Sequence, residues 1–181
     1  MTQGMSRLQR IRLVPVDPDD DAFGDFADEQ GWTMTDKSAH DIHQWRADDA
    51  VVSWVIDPET SVEFISIEGD ARETVAAEIE KKFKMLKKQD FAKHIERVPN
   101  AQGRSSGLWQ VAAAAPDEAD ADVVKLFERY LADDSPTIRQ AALLAVTITG
   151  WKAFRERVEA MLEDPDATVR ADAKETLQSL S

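Results

Sequence analysis

The chain has 181 residues, of which 43% are hydrophobic and 31% charged, and its formal net charge at pH 7 is −13. The absence of cysteine excludes disulfides, thiolate zinc sites and cysteine nucleophiles, and an acidic chain repels polyanions, which argues against nucleic acid as the main ligand. No apolar run approaches the roughly 20 residues that a membrane helix needs, and the start "MTQGMSRLQRIRLVPV" lacks the apolar core of a secretory signal. We therefore expect a cytoplasmic protein with no membrane or nucleic-acid partner.

The first predicted elements are a strand and a helix. Residues 11–16, "IRLVPV", alternate between apolar and polar side chains and end in the turn "VDPDDD", which predicts a short edge strand. In "AFGDFADEQG", Phe23, Phe26 and Ala27 fall on one helical face, with aspartates before them and Gly31 after them. Aspartate favours helix starts and glycine favours helix ends, so a first helix follows the first strand.

Three further segments, "HDIHQWRA", "AVVSWVID" and "SVEFISIEG", are typical of strands. The last two are separated by Pro58 and Glu59, a turn signal that predicts a hairpin. Apolar residues at helical spacing then predict a long helix from about Ala71, with its extension as far as Pro99 left open. Residues 1–99 are therefore expected to form a small α+β domain in the order β-α-β-β-β-α.

The stretch "NAQGRSSG" at residues 100–107 is polar and rich in glycine and serine, which predicts a linker between two domains. Residues 108–181 have a helical pattern that repeats itself. Aligning Leu131 with Leu162, a shift of 31 residues, also aligns Asp133 with Asp164, Ile138 with Val169, Arg139 with Arg170, Ala142 with Ala173 and Val146 with Leu177. A period of this length, with two amphipathic helices in each repeat, is typical of an α-solenoid.

The repeated residues resemble HEAT repeats of the short bacterial kind. In that pattern a leucine, an aspartate, a "VR" pair and small and large apolar residues recur, and the matching positions are Leu162, Asp164, Val169, Arg170, Ala173 and Leu177. The resemblance covers roughly residues 105–181 and implies about two and a half repeats, with helices at residues 106–115, 121–132, 136–149, 151–163 and 167–180. The repeated arginines are placed where a guanidinium can bridge neighbouring repeats by charge-assisted hydrogen bonds.

Two groups of residues invite a metal-site interpretation. His40 and His43, with Asp41 between them, lie three positions apart, and such positions point to opposite faces of a strand, so the two histidines converge only if the segment is helical. The acidic cluster at residues 17–21 lacks the spacing and the glycine of a calcium loop, and a helix N-terminus that prefers negative charge explains it more simply. We favour polar surface residues over a metal in both places and expect no cofactor.

The run "KKFKMLKKQDFAKHIER" places lysines around Phe83, Leu86 and Phe91, as in an amphipathic helix. A solvated lysine face over a buried stripe is the favoured interpretation, and a patch for an acidic partner or for another copy's acidic surface is the alternative. No phosphate-binding glycine loop, nucleophile elbow or paired-carboxylate motif appears in the sequence. We therefore predict no catalytic residue and no enzymatic activity.

These observations favour a non-catalytic protein–protein interaction module. The second helix of each repeat is expected to present the binding face, and the candidate contacts are Lys125, Arg129, Arg155, Glu156 and Trp151. The partner is expected to be a protein, a basic one if the acidic charge guides the encounter, or a second copy of the chain. An inhibitor of the immunity type and an assembly protein are the specific forms. The alternative is a small HEAT-like enzyme or nucleic-acid-processing protein, which would need a longer stack and a basic or aromatic groove.

Overall fold

The computed structural model describes residues 10–36 and 42–180. An antiparallel sheet occupies the N-terminal half and helices follow it, so the predicted α+β class is confirmed. The chain divides into two compact units, Met1–Leu86 and Lys87–Ser181, which are called here the sheet unit and the helical unit. No helix among the described residues is both long enough and apolar enough to cross a membrane.

The sheet has five strands in the order β1-β5-β4-β3-β2, and every neighbouring pair is antiparallel. The strands are β1 (Arg10–Leu13), β2 (Thr33–Asp36), β3 (Ile42–Ala47), β4 (Ala50–Ile56) and β5 (Glu63–Gly69). The predicted strands correspond to β1 and to β3, β4 and β5. Strand β2 was missed because "TMTD" is short and has only one apolar residue, so its pairing with β3 gives it a structure that its own pattern does not indicate.

The two described helices of the sheet unit are α1 (Asp20–Glu29) and α2 (Arg72–Lys82), and both pack into one apolar core on one side of the sheet. Helix α1 begins as predicted, since the Asp19 carboxylate accepts a hydrogen bond from the Ala22 amide at 3.0 Å. Its ring of Phe23 lies with its centroid 5.3 Å from that of Trp45 and 5.1 Å from that of Trp54. Aromatic side chains therefore pack α1 against strands β3 and β4 on the core side of the sheet.

Helix α2 does not continue towards Pro99, the extension that the sequence left open. It ends at Lys82, and Phe83 takes an extended backbone with a ψ of 142°. The chain after it runs beside the end of β1, where the Leu86 amide donates to the Val14 carbonyl at 2.8 Å. The lysine-rich run is therefore two structures, the end of α2 and the start of the helical unit.

The helical unit consists of three helix pairs. Its helices are α3 (Phe91–Ile95), α4 (Ala101–Ala114), α5 (Ala121–Leu131), α6 (Pro136–Thr149), α7 (Arg155–Ala160) and α8 (Ala167–Ser179), and 3₁₀ turns precede α3 and flank α7. Helix α3 packs on α4, α5 on α6 and α7 on α8, while the second helices stack in the order α4-α6-α8. The sequence indicated two and a half pairs because the short helix α3 was assigned to the first domain.

The predicted linker at residues 100–107 is instead the N-terminal part of α4, which begins at the Asn100 cap. Its glycines serve close packing. A Cβ atom on Gly107 would lie 2.8 Å from the Cα of Ile95 in α3, and one on Gly103 would overlap the side chain of Val98. Glycine and serine therefore mark a tight helix crossing here, and the division between the units comes earlier, after Leu86.

The repeated arginine joins successive helix pairs, as the sequence pattern predicted. Arg139 of α6 donates from Nε and Nη2 to the two carboxylate oxygens of Asp164, at 2.9 and 2.8 Å. Its Nη1 donates to the backbone carbonyls of Asp133 and Asp134, at 2.8 and 3.1 Å. One guanidinium therefore holds the turn before its own helix and reaches the turn of the next pair.

Arg170, at the equivalent position of α8, makes only half of these bonds. Its Nη1 donates to the carbonyls of Asp164 and Pro165, at 2.6 and 3.1 Å, as Arg139 does one pair earlier. Within the described part of the chain, its Nε and Nη2 have no carboxylate partner, and the side chain is exposed. The last pair therefore keeps the local half of the pattern without the bridge.

The outer surface of helix α8 is more polar than the equivalent surface of α6. Leu143 and Leu144 of α6 are buried and half-buried, and the equivalent positions of α8 hold Lys174 and Glu175, both exposed. Terminal repeats of solenoid proteins characteristically replace their outer apolar face with polar residues. Helix α8 therefore acts as a cap for the stack.

Candidate functional site

Four of the five predicted contact residues lie on the surface of the helical unit. Lys125 and Arg129 are exposed on α5, and Arg155 and Glu156 are exposed on α7. The pairing shows that α5 and α7 are the first helices of their pairs, so the prediction that these residues lie on the second helices was wrong. Lys125 and Glu156 are equivalent under the 31-residue shift and lie on the same side of the stack.

The fifth predicted residue, Trp151, is a core residue. It is 4% exposed, its indole Nε1 donates to the Asp117 carbonyl at 3.2 Å, and its ring stacks on Phe154 with an interplanar angle of 4°. A tryptophan at the start of a helical segment was consistent with a surface anchor, but this one closes the interior between helices. It is therefore unavailable to a partner.

A groove lies between the first helices of the first two pairs. It has a volume of about 480 Å³ and is bounded by α5 and by α3 with its preceding 3₁₀ turn. Its lining residues are Lys88, Gln89, Phe91, Ala92, Asp122, Val123 and Leu126. Phe91 and Val123, which are 3% and 1% exposed, form an apolar floor, and the charged side chains stand at the edge. We call this surface the α3–α5 groove.

One edge of the groove is an ion-pair cluster. The Lys88 ammonium lies 2.7 Å from the Asp120 carboxylate and 2.9 Å from that of Asp122. The hydrogen bonds that Lys88 donates to Asp120 and Asp122 raise the pKa of Lys88, and the one to Asp120 holds the pKa of that carboxyl below its usual range. Asp120 also caps α5 by accepting from the Val123 amide at 3.2 Å. This lysine is therefore neutralised locally, and its cluster ties the 3₁₀ turn to the start of α5.

A second polar cluster joins α3, α4 and α5 around Glu96. The Tyr130 hydroxyl donates to Glu96 at 2.8 Å, and Arg104 pairs with the same carboxylate at 3.1 Å. Burial raises the pKa of Tyr130 well above its usual range, and the hydrogen bond to Glu96 is the second largest cause of this shift. Arg129 lies 3.8 Å from Glu96 but is 68% exposed, so it remains accessible to a partner. The cluster holds the first two helix pairs together.

The predicted contacts and the groove coincide only in part. Lys125 and Arg129 share α5 with Val123 and Leu126, whereas Arg155 lies on α7 and is engaged with Glu159 of the same helix at 3.1 Å. Sequence reasoning missed Phe91 and Leu126 because the groove needs α3 and α5 side by side. The one available signal was the lysine-rich run, whose alternative interpretation was an interaction patch.

The residues suspected of metal binding are only partly described. His40 and Asp41 lie outside the described residues. The His43 Nδ1 atom lies 3.1 Å from the carboxylate of Asp20, and Asp19 caps α1. Among residues 10–36 and 42–180, no group of three or more histidine, aspartate or glutamate side chains is arranged to hold a metal ion.

Comparisons with known proteins assign no family and no function to this site. The chain matches no family model, and no curated protein matches it in sequence.

Proposed function

We propose that the chain is a non-catalytic protein-binding module whose helical unit is a short HEAT-like stack. The three helix pairs, the 31-residue repeat and the Arg139–Asp164 bridge support the HEAT-like assignment. The α3–α5 groove is the observation that carries the binding function. The cysteine-free sequence supports a reducing, cytoplasmic setting for it.

The groove suits apolar side chains of a partner protein. Its floor is made of Phe91 and Val123, and Leu126 and Ala92 remain partly or largely accessible beside them. Well-packed pockets of this kind hold the few side chains that contribute most binding energy at protein interfaces. An amphipathic helix or loop that inserts one or two large apolar residues is the occupant that the groove fits best.

The charges near the groove determine which charged residues the partner is expected to place beside its inserted apolar side chains. Lys88 is engaged by two aspartates, whereas Lys125 and Arg129 are exposed on the neighbouring α5 surface. Charges separated by more than about 8 Å are largely screened at physiological salt, so these local charges matter more in the complex than the net charge of −13. The partner is therefore expected to place carboxylates against Lys125 and Arg129. An inhibitor of the immunity type or an assembly factor would use such a surface.

Capture from native lysate of the source cells tests this proposal. The full chain serves as bait beside the Leu126→Asp variant, which places a charge in the groove, and the Leu162→Asp variant, which makes the same change at a leucine that is 38% exposed elsewhere on the unit. A stoichiometric protein that is lost with Leu126→Asp and retained with Leu162→Asp supports the proposal. Equal recovery with all three baits, or no specific protein at low salt, contradicts it.

Charge reversal adds a second test of the same face. The double variant Lys125→Glu and Arg129→Glu is expected to weaken the captured complex at least tenfold, because carboxylates would then face carboxylates. Arg155→Glu is expected to have a smaller effect, because Arg155 is already paired with Glu159 on α7. An equal loss from both charge reversals would move the binding face away from the groove.

A further inference from the structure

The sheet unit has a second surface, on the side of the sheet away from its helices. Alternate strand residues face opposite sides, and those on one side, with α1 and α2, form the apolar core. The other residues of each strand lie on the opposite side, and neither helix of the unit packs there. We call it the open sheet face. Its described residues are Arg10, Arg12, Thr33, Thr35, Ile42, Gln44, Arg46, Val51, Ser53, Val55, Phe64, Ser66 and Glu68.

The strand register orders this face into rows. At one end of the strands, Ile42 pairs with Val55 and Val55 with Phe64, which makes an apolar row. Ile42 is 39% exposed and the other two are half-buried. An antiparallel sheet with one solvated face usually alternates apolar and polar residues strictly, so three adjacent apolar side chains on that face depart from the usual pattern.

The other end of the face carries arginines. Arg10 on β1 and Arg46 on β3 lie in one row, on either side of Glu68 and Val51, and Arg12 lies in the next row. The guanidinium groups of Arg10 and Arg46 form no hydrogen bond or ion pair with any of residues 10–36 and 42–180, although the chain has 35 acidic and only 22 basic residues. Arginine in such a chain has many possible carboxylate partners, so two guanidiniums that have no partner among the described residues can bind an external anion.

The space between the two ends is polar and ordered. The Gln44 side-chain amide donates to the Ser53 hydroxyl at 3.1 Å, and the Thr35 hydroxyl contacts the Gln44 side-chain oxygen at 3.3 Å. Ile42 and Arg46 are four positions apart along β3, which is about 13 Å at the rise of a strand. An extended segment of about five residues spans that distance.

We propose that the open sheet face binds a short acidic segment of a partner protein. The segment places its carboxylates on Arg10 and Arg46 and an apolar side chain on the row of Val55 and Phe64. Guanidinium groups form bidentate hydrogen bonds with carboxylates, and the half-buried apolar row gains from further burial. Glu68 is the one carboxylate among the side chains of the face that the structure describes, and it disfavours a segment that is acidic throughout. The recognised sequence is therefore apolar at one end and acidic at the other.

Selection from a library of random 12-residue peptides tests the proposal with the full chain as target. The expected result is enrichment of sequences with clustered Asp or Glu beside a large apolar residue. Their affinity is expected to fall at least tenfold with Arg10→Glu and Arg46→Glu together, and to be largely retained with Arg10→Lys and Arg46→Lys. The matched control is Lys81→Glu with Lys84→Glu, which makes the same charge change at exposed lysines elsewhere in the sheet unit and is expected to leave binding unchanged.

Three results would overturn this inference. They are the failure to enrich acidic peptides, equal loss of binding in the Lys81 and Lys84 control, and tighter binding of a 20-nucleotide single-stranded DNA than of the selected peptides. Far-UV circular dichroism of each variant verifies that it is folded. The inference is independent of the groove, because Leu126→Asp lies in the helical unit and is expected to bind the selected peptides like the unmodified chain.

Discussion

The bridge between helix pairs can be measured against an internal control. We expect Arg139→Met to destabilise the chain much more than Arg170→Met. Both changes remove Nη1 donors to two backbone carbonyls, but only Arg139 also forms the two-bond fork to Asp164. The difference between the two variants therefore reports mainly the fork and the burial of its partners.

The magnitude follows from the burial of the pair. The Arg139 and Asp164 side chains are 10% and 8% exposed, whereas Arg170 is on the surface. Removing one partner of a buried ion pair costs about 3–5 kcal/mol, because the remaining charge is left desolvated, and a site with some solvent contact falls at or below that range. We expect about 2–4 kcal/mol for Arg139→Met and under about 1 kcal/mol for Arg170→Met.

Urea unfolding monitored by far-UV circular dichroism gives both values, since the helical unit contributes most of the helical signal. Asp164→Asn, which alters the fork from the other side, is expected to cost nearly as much as Arg139→Met. Equal destabilisation in the Arg139 and Arg170 variants, or a loss below about 1 kcal/mol for Arg139→Met, would show that the fork to Asp164 does not stabilise the helical unit.

Three further outcomes are expected. Gly107→Ala should destabilise by about 1–3 kcal/mol in urea unfolding because the new Cβ overlaps the α3 backbone, whereas Gly24→Ala, in open space within α1, should stabilise by about 0.5–1 kcal/mol. Lys174→Leu with Glu175→Leu should cause concentration-dependent association in light scattering, because α8 would then expose the same two leucines that α6 has at the equivalent positions. The hydrogen bond from Arg139 lowers the pKa of Asp164 in the folded chain. The contribution of Asp164 to the free energy of unfolding is therefore fully present above about pH 4, and it is lost as the pH falls through the pKa that Asp164 has in the folded chain. Acid titration should therefore narrow the stability gap between the unmodified chain and Asp164→Asn.

Local chemistry allowed much of the fold to be predicted. Pro136 and Gly150 mark the two ends of α6, where proline fits the first turn and glycine adopts a left-handed φ of 64° after the last. Phe23 and Phe26 fall on the buried side of α1 as their spacing indicates. These features are readable because a helix end or an apolar face depends on residues close together in the sequence.

The errors came where tertiary packing reverses a local signal. Gly107 belongs to a composition typical of linkers, yet it allows α4 to approach α3, a contact that no short-range pattern encodes. Helix α3 has only five residues, too few for helical periodicity to separate it from the preceding domain. The candidate site was missed for the same reason, since Phe91 and Leu126 line one groove only because successive helix pairs place α3 and α5 side by side.

Site-specific photocrosslinking in the source cells tests the binding function most directly. A photoreactive amino acid replaces Leu126 at the groove or, as the matched control, Gln178 on the exposed surface of the α8 cap. We expect a discrete crosslinked protein from position 126 and none from position 178. No crosslink from position 126, or the same crosslinked protein from both positions, would contradict the groove as the site of partner binding.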